Sequence, residues 1–285
     1  MSDVAYRFVD QLKREIDRGQ LEIACFPEVA TQLIQELDSD HVAVHDIARV
    51  VAGEPALAVR VIGMANSAAY RSGGRSMTDV RMAITRIGLR ALRGVILAFA
   101  VIKLREARPL RAVQYRIGDV WQRSTLIAAL AHLLAVELRN DEVRYDHEAA
   151  MLSGLMQGVG KIYILAEAAL HSELIEDVGL LDDIVRAWHA PAASKILTQW
   201  GLGAAVVQAV EKHDEADTAS RDEANLTDLL RAASLFAELR DTPQELPRHL
   251  VASRACQRLD LRRLKPEYVF SQLASQSDSL ESVLR

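Results

Sequence analysis

The segment with the clearest look of chemistry is Gly154 to Lys161, GLMQGVGK, three glycines running into a lysine. A nucleotide phosphate is held where the N–H groups of a glycine-rich turn converge, a lysine reaches the terminal phosphates and a following Ser or Thr binds Mg²⁺. That motif needs four residues between its first glycine and its Gly-Lys pair. Here five intervene and Ile162 follows, so the segment is not a phosphate loop. No G-x-S-x-G elbow and no H-E-x-x-H pair occurs, which removes the commonest serine-hydrolase and zinc-peptidase patterns. His41 and His45 are four apart and could share a helix face, but Asp40 and Asp46 beside them mark a helix start. Capping or solvation outweighs a metal site there.

A second concentration is electrostatic. Between residues 71 and 93 stand Arg71, Arg75, Arg81, Arg86, Arg90 and Arg93 against the single Asp79, a local +5 on a chain of net charge -5. Guanidinium forks recognise phosphates, nucleic acid or an acidic partner helix. A solvated face has about equal standing, since charge runs are often merely soluble surface. Arg86, Arg90 and Arg93 share a helix face if Gly88 does not interrupt it.

The elements that must position these groups are helices. Gly 14 and Pro 7 are few for 285 residues, aromatics are 5%, and no stretch alternates apolar and polar over a strand length, so an all-β fold is excluded and little or no sheet is expected. Apolar residues recur three and four apart, as at Val29, Leu33, Ile34 and Leu37, or Leu126, Leu130, Leu133, Leu134 and Leu138, and about a dozen helices are expected. Pro27 and Pro55 sit where a first helical turn accepts a missing N–H. Gly53, Gly88 and Gly201 fall where left-handed C-caps are expected. The clearest loop is RSGGR, Arg71 to Arg75, and the best boundary is Arg105 to Pro109. The division expected is an N-terminal amphipathic helix over 1–19, an N-terminal lobe over 20–108, a second lobe over 109–240 and C-terminal helices over 241–285, with Pro243, Pro247 and Pro266 among them.

A hydrophobic share of 50% with 26% charged residues is ordinary for a globular chain. The longest uncharged apolar run, Gly94 to Ile102, is far short of the roughly 18 residues of a membrane span. The N-terminus has no signal-peptide pattern, and Cys25 and Cys256 form no metal-type pair. A cytoplasmic, reduced protein is the expectation.

Residues 26–97 resemble the first half of the HDOD domain, a relative of the HD phosphohydrolases. The resemblance rests on Pro27, Glu54-Pro55-Ala56-Leu57 where the family usually has Asp-Pro-Ala-Leu, Ala65-Asn66-Ser67, Ala83-Ile84 and Gly88-Leu89. Trp121, Ser124, Gly154 to Lys161 with Gly160, His189, Trp200-Gly201-Leu202 and His213 look like landmarks of the second half. The resemblance covers residues 20 to 215 and implies an all-α fold, an N-terminal helical lobe packed on a degenerate HD-like helical lobe, with C-terminal helices added.

HD phosphohydrolases hold one or two metals with a His, a His-Asp doublet and a distant Asp, so that bound water becomes a nucleophile. At the doublet this chain has Gln157 and Gly158, at the earlier His position Arg123, and at the later Asp position Ser234. A guanidinium opposes a cation, glycine offers no side chain, and no metal or other cofactor is expected. The dipeptides His213-Asp214 and Asp146-His147 might replace the doublet, but His213 ends a helix, where an imidazolium meets the negative helix terminus, and that structural reading is preferred. Asn66 and Ser67 end another helix, and their side chains are expected to bond backbone. The resemblance therefore implies a non-catalytic bacterial signalling or regulatory module that acts through a protein partner, in the setting of cyclic-dinucleotide or two-component pathways. The rival readings are a metal-dependent phosphohydrolase of a nucleotide or cyclic dinucleotide, and a nucleic-acid-binding regulator using the arginine segment, which is less favoured.

Overall fold

The computed structural model describes residues 3–19, 21–37, 39, 43–67, 70, 76–139, 145–217 and 221–274. Among these the chain is helical and contains no strand. In order come α1 (Asp3–Arg18), α2 (Glu28–Leu37), α3 (Val44–Gly53), α4 (Pro55–Asn66), α5 (Val80–Glu106), α6 (Gln114–Glu137), α7 (His147–Met156) and α8 (Val159–Ala168). There follow α9 (Ser172–Glu176), α10 (Val178–Gln199), α11 (Ala204–Lys212), α12 (Leu226–Glu238), α13 (Leu246–Ala252) and α14 (Arg254–Arg258). The expected boundary at Arg105 to Pro109 contains the end of α5 and a 3₁₀ turn over Arg108–Leu110.

The packing follows from which residues can tolerate no water. In α6 every residue from Ile127 to Ala135 is buried, so this helix is covered on all sides and the others arrange around it. It packs most extensively on α7, while α8 packs on α10, α4 on α5, and α12 on α6. One continuous apolar core runs from Ala5 and Phe8 of α1 to Val269 and Leu273 near the C-terminus. One stretch, His147–Ala168, is long enough to cross a membrane, but 89% of its most apolar 18-residue window is buried inside the protein.

Local signals place most of the helix ends. Pro55 opens α4, and Asp79, Asp146 and Asp177 cap α5, α7 and α10 with their carboxylates. Pro27 stands just ahead of α2, its carbonyl accepting from Ala30 and Thr31. Gly201 takes φ +65° after α10, as a left-handed cap requires. Gly53 does not: it is the last residue of α3, outside the positive-φ set, and the following Glu54 returns its N–H to Val51. Pro55 explains the difference, since the residue before a proline is driven to extended backbone.

Candidate functional site

The functional question centres on the turn between α7 and α8. Gln157, 3% exposed, donates from Nε2 to Ser124 Oγ of α6 at 2.9 Å, and that hydroxyl donates onward to the Val120 carbonyl. A Cβ built on Gly158 would stand 2.6 Å from both Ser124 Oγ and Val120 Cγ1. A carboxylate side chain at this position would require the Ser124 and Val120 side chains to shift. Arg123 lies on α6 with its side chain exposed, and Ser234 lies on α12 with a buried hydroxyl that finds no hydrogen-bond partner. These residues do not fit a metal ion, because they supply no convergent anionic or imidazole donors. Nor do three His, Cys, Asp or Glu side chains converge as metal ligands elsewhere among the described residues.

The other glycines of the segment have the same purpose. A Cβ on Gly154 would meet the Ala128 backbone at 2.5 Å, and one on Gly160 would meet the His189 carbonyl oxygen at 1.9 Å. GLMQGVGK is thus a helix-packing corner, in which missing side chains let α7 approach α6, and α8 approach α10, at backbone distance.

Lys161 leads from that corner to the group sequence reasoning had split apart. Its Nζ lies 3.7 Å from Asp214 Oδ2; His189 Nε2 lies 3.5 Å from the same oxygen, and His213 Nε2 lies 3.2 Å from Asp214 Oδ1. Both imidazoles are buried, whereas Asp214 is about half exposed. His213 caps α11, with Nδ1 2.7 Å from the Val210 carbonyl. Burial pushes the His213 pKa down, with Asp214 opposing it. Burial, then the Lys161 charge, lowers His189 as well, and its Nδ1 is buried without a partner. The dipeptide Asp146-His147 is also structural. Asp146 accepts from Ala149 and pairs with Arg90, while the His147 ring meets His132 edge-on, their centroids 5.1 Å apart.

The arginines do not form one face. Gly88 has φ 79° and ψ 164°, a conformation outside the helix, and divides α5 into segments over 80–87 and 89–106. Arg86 donates to the Ala65 carbonyl at 3.2 Å, Arg90 pairs with Asp146, and Arg93 donates to the Trp200 carbonyl. Arg81 is exposed on the first segment. Arg71 and Arg75 lie outside the described residues.

The motif residues are mostly architectural. Asn66 clamps the backbone of Met77 from both sides, donating to its carbonyl at 2.8 Å and accepting its N–H at 2.7 Å, and Ser67 donates to Met64. Glu54 precedes α4 without a side-chain cap. Trp121 is buried in α6, and Trp200 packs on Phe26. Sequence reasoning passed over a buried ion network that fastens the C-terminal helices. Asp228, fully buried, receives Arg221 at 2.7 Å and Arg258 at 2.6 Å; Arg258 also reaches Asp217. Burial opposes ionisation of Asp228, but the hydrogen bonds from Arg258 and Arg221 outweigh it and hold its carboxyl below the usual range. Arg231 pairs with Asp217 and donates to the carbonyls of Lys212, His213 and Glu215, closing the end of α11. The capping box Asn225…Asp228 was the available sequence signal for this region.

An all-helical fold in which the glycine corner packs α7 on α6 and α8 on α10 sets the class. The chain belongs to the HDOD domain family, whose model matches residues 23–216. Similar solved structures include a provisionally named metal-dependent phosphohydrolase from Shewanella amazonensis, 23% identical over 99% of both chains with a TM-score of 0.74. An HDOD domain protein of unknown function from Geobacter sulfurreducens is 18% identical, over 99% of this chain and 98% of its own, with a TM-score of 0.59. A provisionally named signal transduction protein from Marinobacter aquaeolei is 20% identical, over 99% of this chain and 66% of its own, also at 0.59. No curated protein matches this sequence significantly.

Proposed function

We propose that this chain is a non-catalytic signal-transduction module that works by binding a protein partner. The observation that carries the reading is the closed α7–α8 corner. The two positions that hold the metal-binding doublet in HD phosphohydrolases are here a glutamine bonded to Ser124 and a glycine whose Cβ would collide with α6. The solved structure described as a signal transduction protein is in keeping with this role. Both cysteines are free thiols, which suits a reducing cytoplasm.

The competing reading is a phosphohydrolase, the description that two similar structures from Shewanella amazonensis carry. In its favour is the Asp214 carboxylate shared between His189 and His213. Elemental analysis of gently purified protein, with phosphodiester and nucleotide turnover assayed at saturating manganese, iron or zinc, separates the two. The adaptor reading expects neither stoichiometric metal nor turnover. Turnover that chelation abolishes, metal restores and Asp214→Asn removes would assign the hydrolase instead. The nucleic-acid reading is weaker, because Arg86, Arg90 and Arg93 each have an intramolecular acceptor.

A further inference from the structure

The first turn of α5 carries two side chains that the helix itself does not favour. Arg81, its second residue, is an exposed cation at the positive end of the helix, where an acid would be stabilised. It has no ion pair among the described residues. Met82, its third residue, is 53% exposed at the position that a capping box gives to Glu or Gln. Both line a groove of about 690 Å³ between the start of α3 and the first segment of α5. Val44, Met77 and Met82 form its apolar surface, Arg81 and Arg86 lie along it, and no carboxylate is among its lining residues. The acids nearest in sequence are engaged: Asp46 pairs with Arg49 at 2.6 Å, and Asp79 accepts the Met82 N–H at 2.8 Å. Arg86 is directed to the Ala65 carbonyl, so Arg81 supplies the charge. Asn66 fixes one wall, holding the Met77 backbone by both its N–H and its carbonyl.

We infer that this groove docks an acidic amphipathic segment of a protein partner, its aliphatic side chains lying on Val44, Met77 and Met82 and one carboxylate pairing with Arg81. Methionines suit such a surface, because their unbranched, polarizable side chains repack around aliphatic groups of different shape. Arg81 selects an acidic segment over a basic one. The apolar surface selects a peptide over a nucleic acid, whose affinity comes chiefly from its phosphates. The inference rests on the adaptor reading and names the chemistry of the partner that the adaptor takes.

The test selects a randomised displayed-peptide library on the full chain and measures the enriched peptides, labelled with fluorescein, by polarization. They should combine Asp or Glu with Leu, Met or Phe. Arg81→Glu and Met82→Glu should each weaken their binding about tenfold or more, as a lost charge-assisted contact and a carboxylate set in the apolar surface imply. Both substitutions put an acid in the first turn of a helix, which favours the fold, and a melt of each variant checks that it is retained. Arg186→Glu, an exposed position on α10, should bind as the parent does. A peptide whose acids are changed to Lys should bind Arg81→Glu better than it binds the parent, a rescue that only direct pairing gives. Enrichment of no peptide, or of basic ones, would overturn the inference. Acidic peptides indifferent to both groove variants would refute the groove and leave the adaptor reading standing, whereas metal-dependent turnover would remove that reading without help from the peptides. Duplex DNA binding that Arg81→Glu abolishes and Met82→Glu spares would assign the surface to nucleic acid instead.

Discussion

Replacing Gly160 by alanine adds one methyl group where α8 meets α10. The added carbon would stand 1.9 Å from the His189 carbonyl oxygen, 2.8 Å from its carbon and 2.9 Å from the Ala193 nitrogen. A carbon–oxygen contact settles at about 3.3 Å, so the helices must part by roughly 1.4 Å. None of the three obstructing atoms ends a flexible side chain, and the displacement falls on backbone. Opening a packed contact by even about 1 Å forfeits up to roughly half of its dispersion energy. Ile162 and Tyr163 on α8 and Ala192 and Ile196 on α10, all buried, sit on the two helices that would separate. Overpacking costs about 1 to 3 kcal/mol in ordinary sites, and the backbone obstruction places this one at about 3 kcal/mol or more. At about 2 to 4 °C per kcal/mol, the melting temperature should fall by about 6 to 12 °C in a circular-dichroism melt. Gly179→Ala is the control: it also lies in α10, and its added carbon meets nothing closer than Asp177 Oδ1 at 3.8 Å. That variant should melt at or slightly above the parent, since alanine favours the helix. A Gly160→Ala protein melting within about 1 °C of the parent would refute the claim that glycine is there for close approach.

Other outcomes follow from the same geometry. Asn66→Ala leaves the Met77 N–H and carbonyl without their partner and should cost about 1 to 3 kcal/mol in urea denaturation, with Asn66→Asp, which keeps the acceptor and loses the donor, falling between. Arg258→Met leaves buried Asp228 and partly buried Asp217 short of a counter-charge and should cost about 3 to 5 kcal/mol; an unchanged melting temperature would contradict the network's weight. Stability should also decline with acid. His132 is held down to about 4 by burial and then by His147, and burial likewise lowers His189 and His213. The unfolded chain therefore takes up protons near pH 6.5 that the folded chain refuses, so this stability is complete above about pH 6.5 and is lost as pH falls toward the lowered folded values. Urea midpoints measured across that window check it, and a flat profile would argue against neutral buried imidazoles.

Most helix ends were legible because their causes are local. Pro55 acts within one turn through its ring geometry, and Asn66, expected to bond backbone, does so to Met77 eleven residues on. The Gly88 break was visible only as a condition. Its consequence, arginines sent to Ala65, Asp146 and Trp200, depends on partners up to 107 residues away. The glycines at 154, 158 and 160 were noticed for the wrong chemistry and then as family landmarks. Their spacing rules out a phosphate loop, but spacing alone does not reveal which backbone lies within 3 Å of each.

From residue types and periodicity alone came the helical class and the N-terminal amphipathic helix, because these depend on what each side chain can do by itself or within a turn, while Gln157 and Gly158 drew notice only through the family resemblance. The tertiary structure decided that Gln157 bonds Ser124 and that Gly158 packs on α6, that His189, His213 and Lys161 meet around Asp214, and that Arg221 and Arg258 pair with Asp228. It also sent Arg86, Arg90 and Arg93 to separate acceptors and left two of them beside a cavity. The physical reason is range: caps and turns are set by neighbours in sequence, whereas burial, charge pairing and close helix approach are set by neighbours in space.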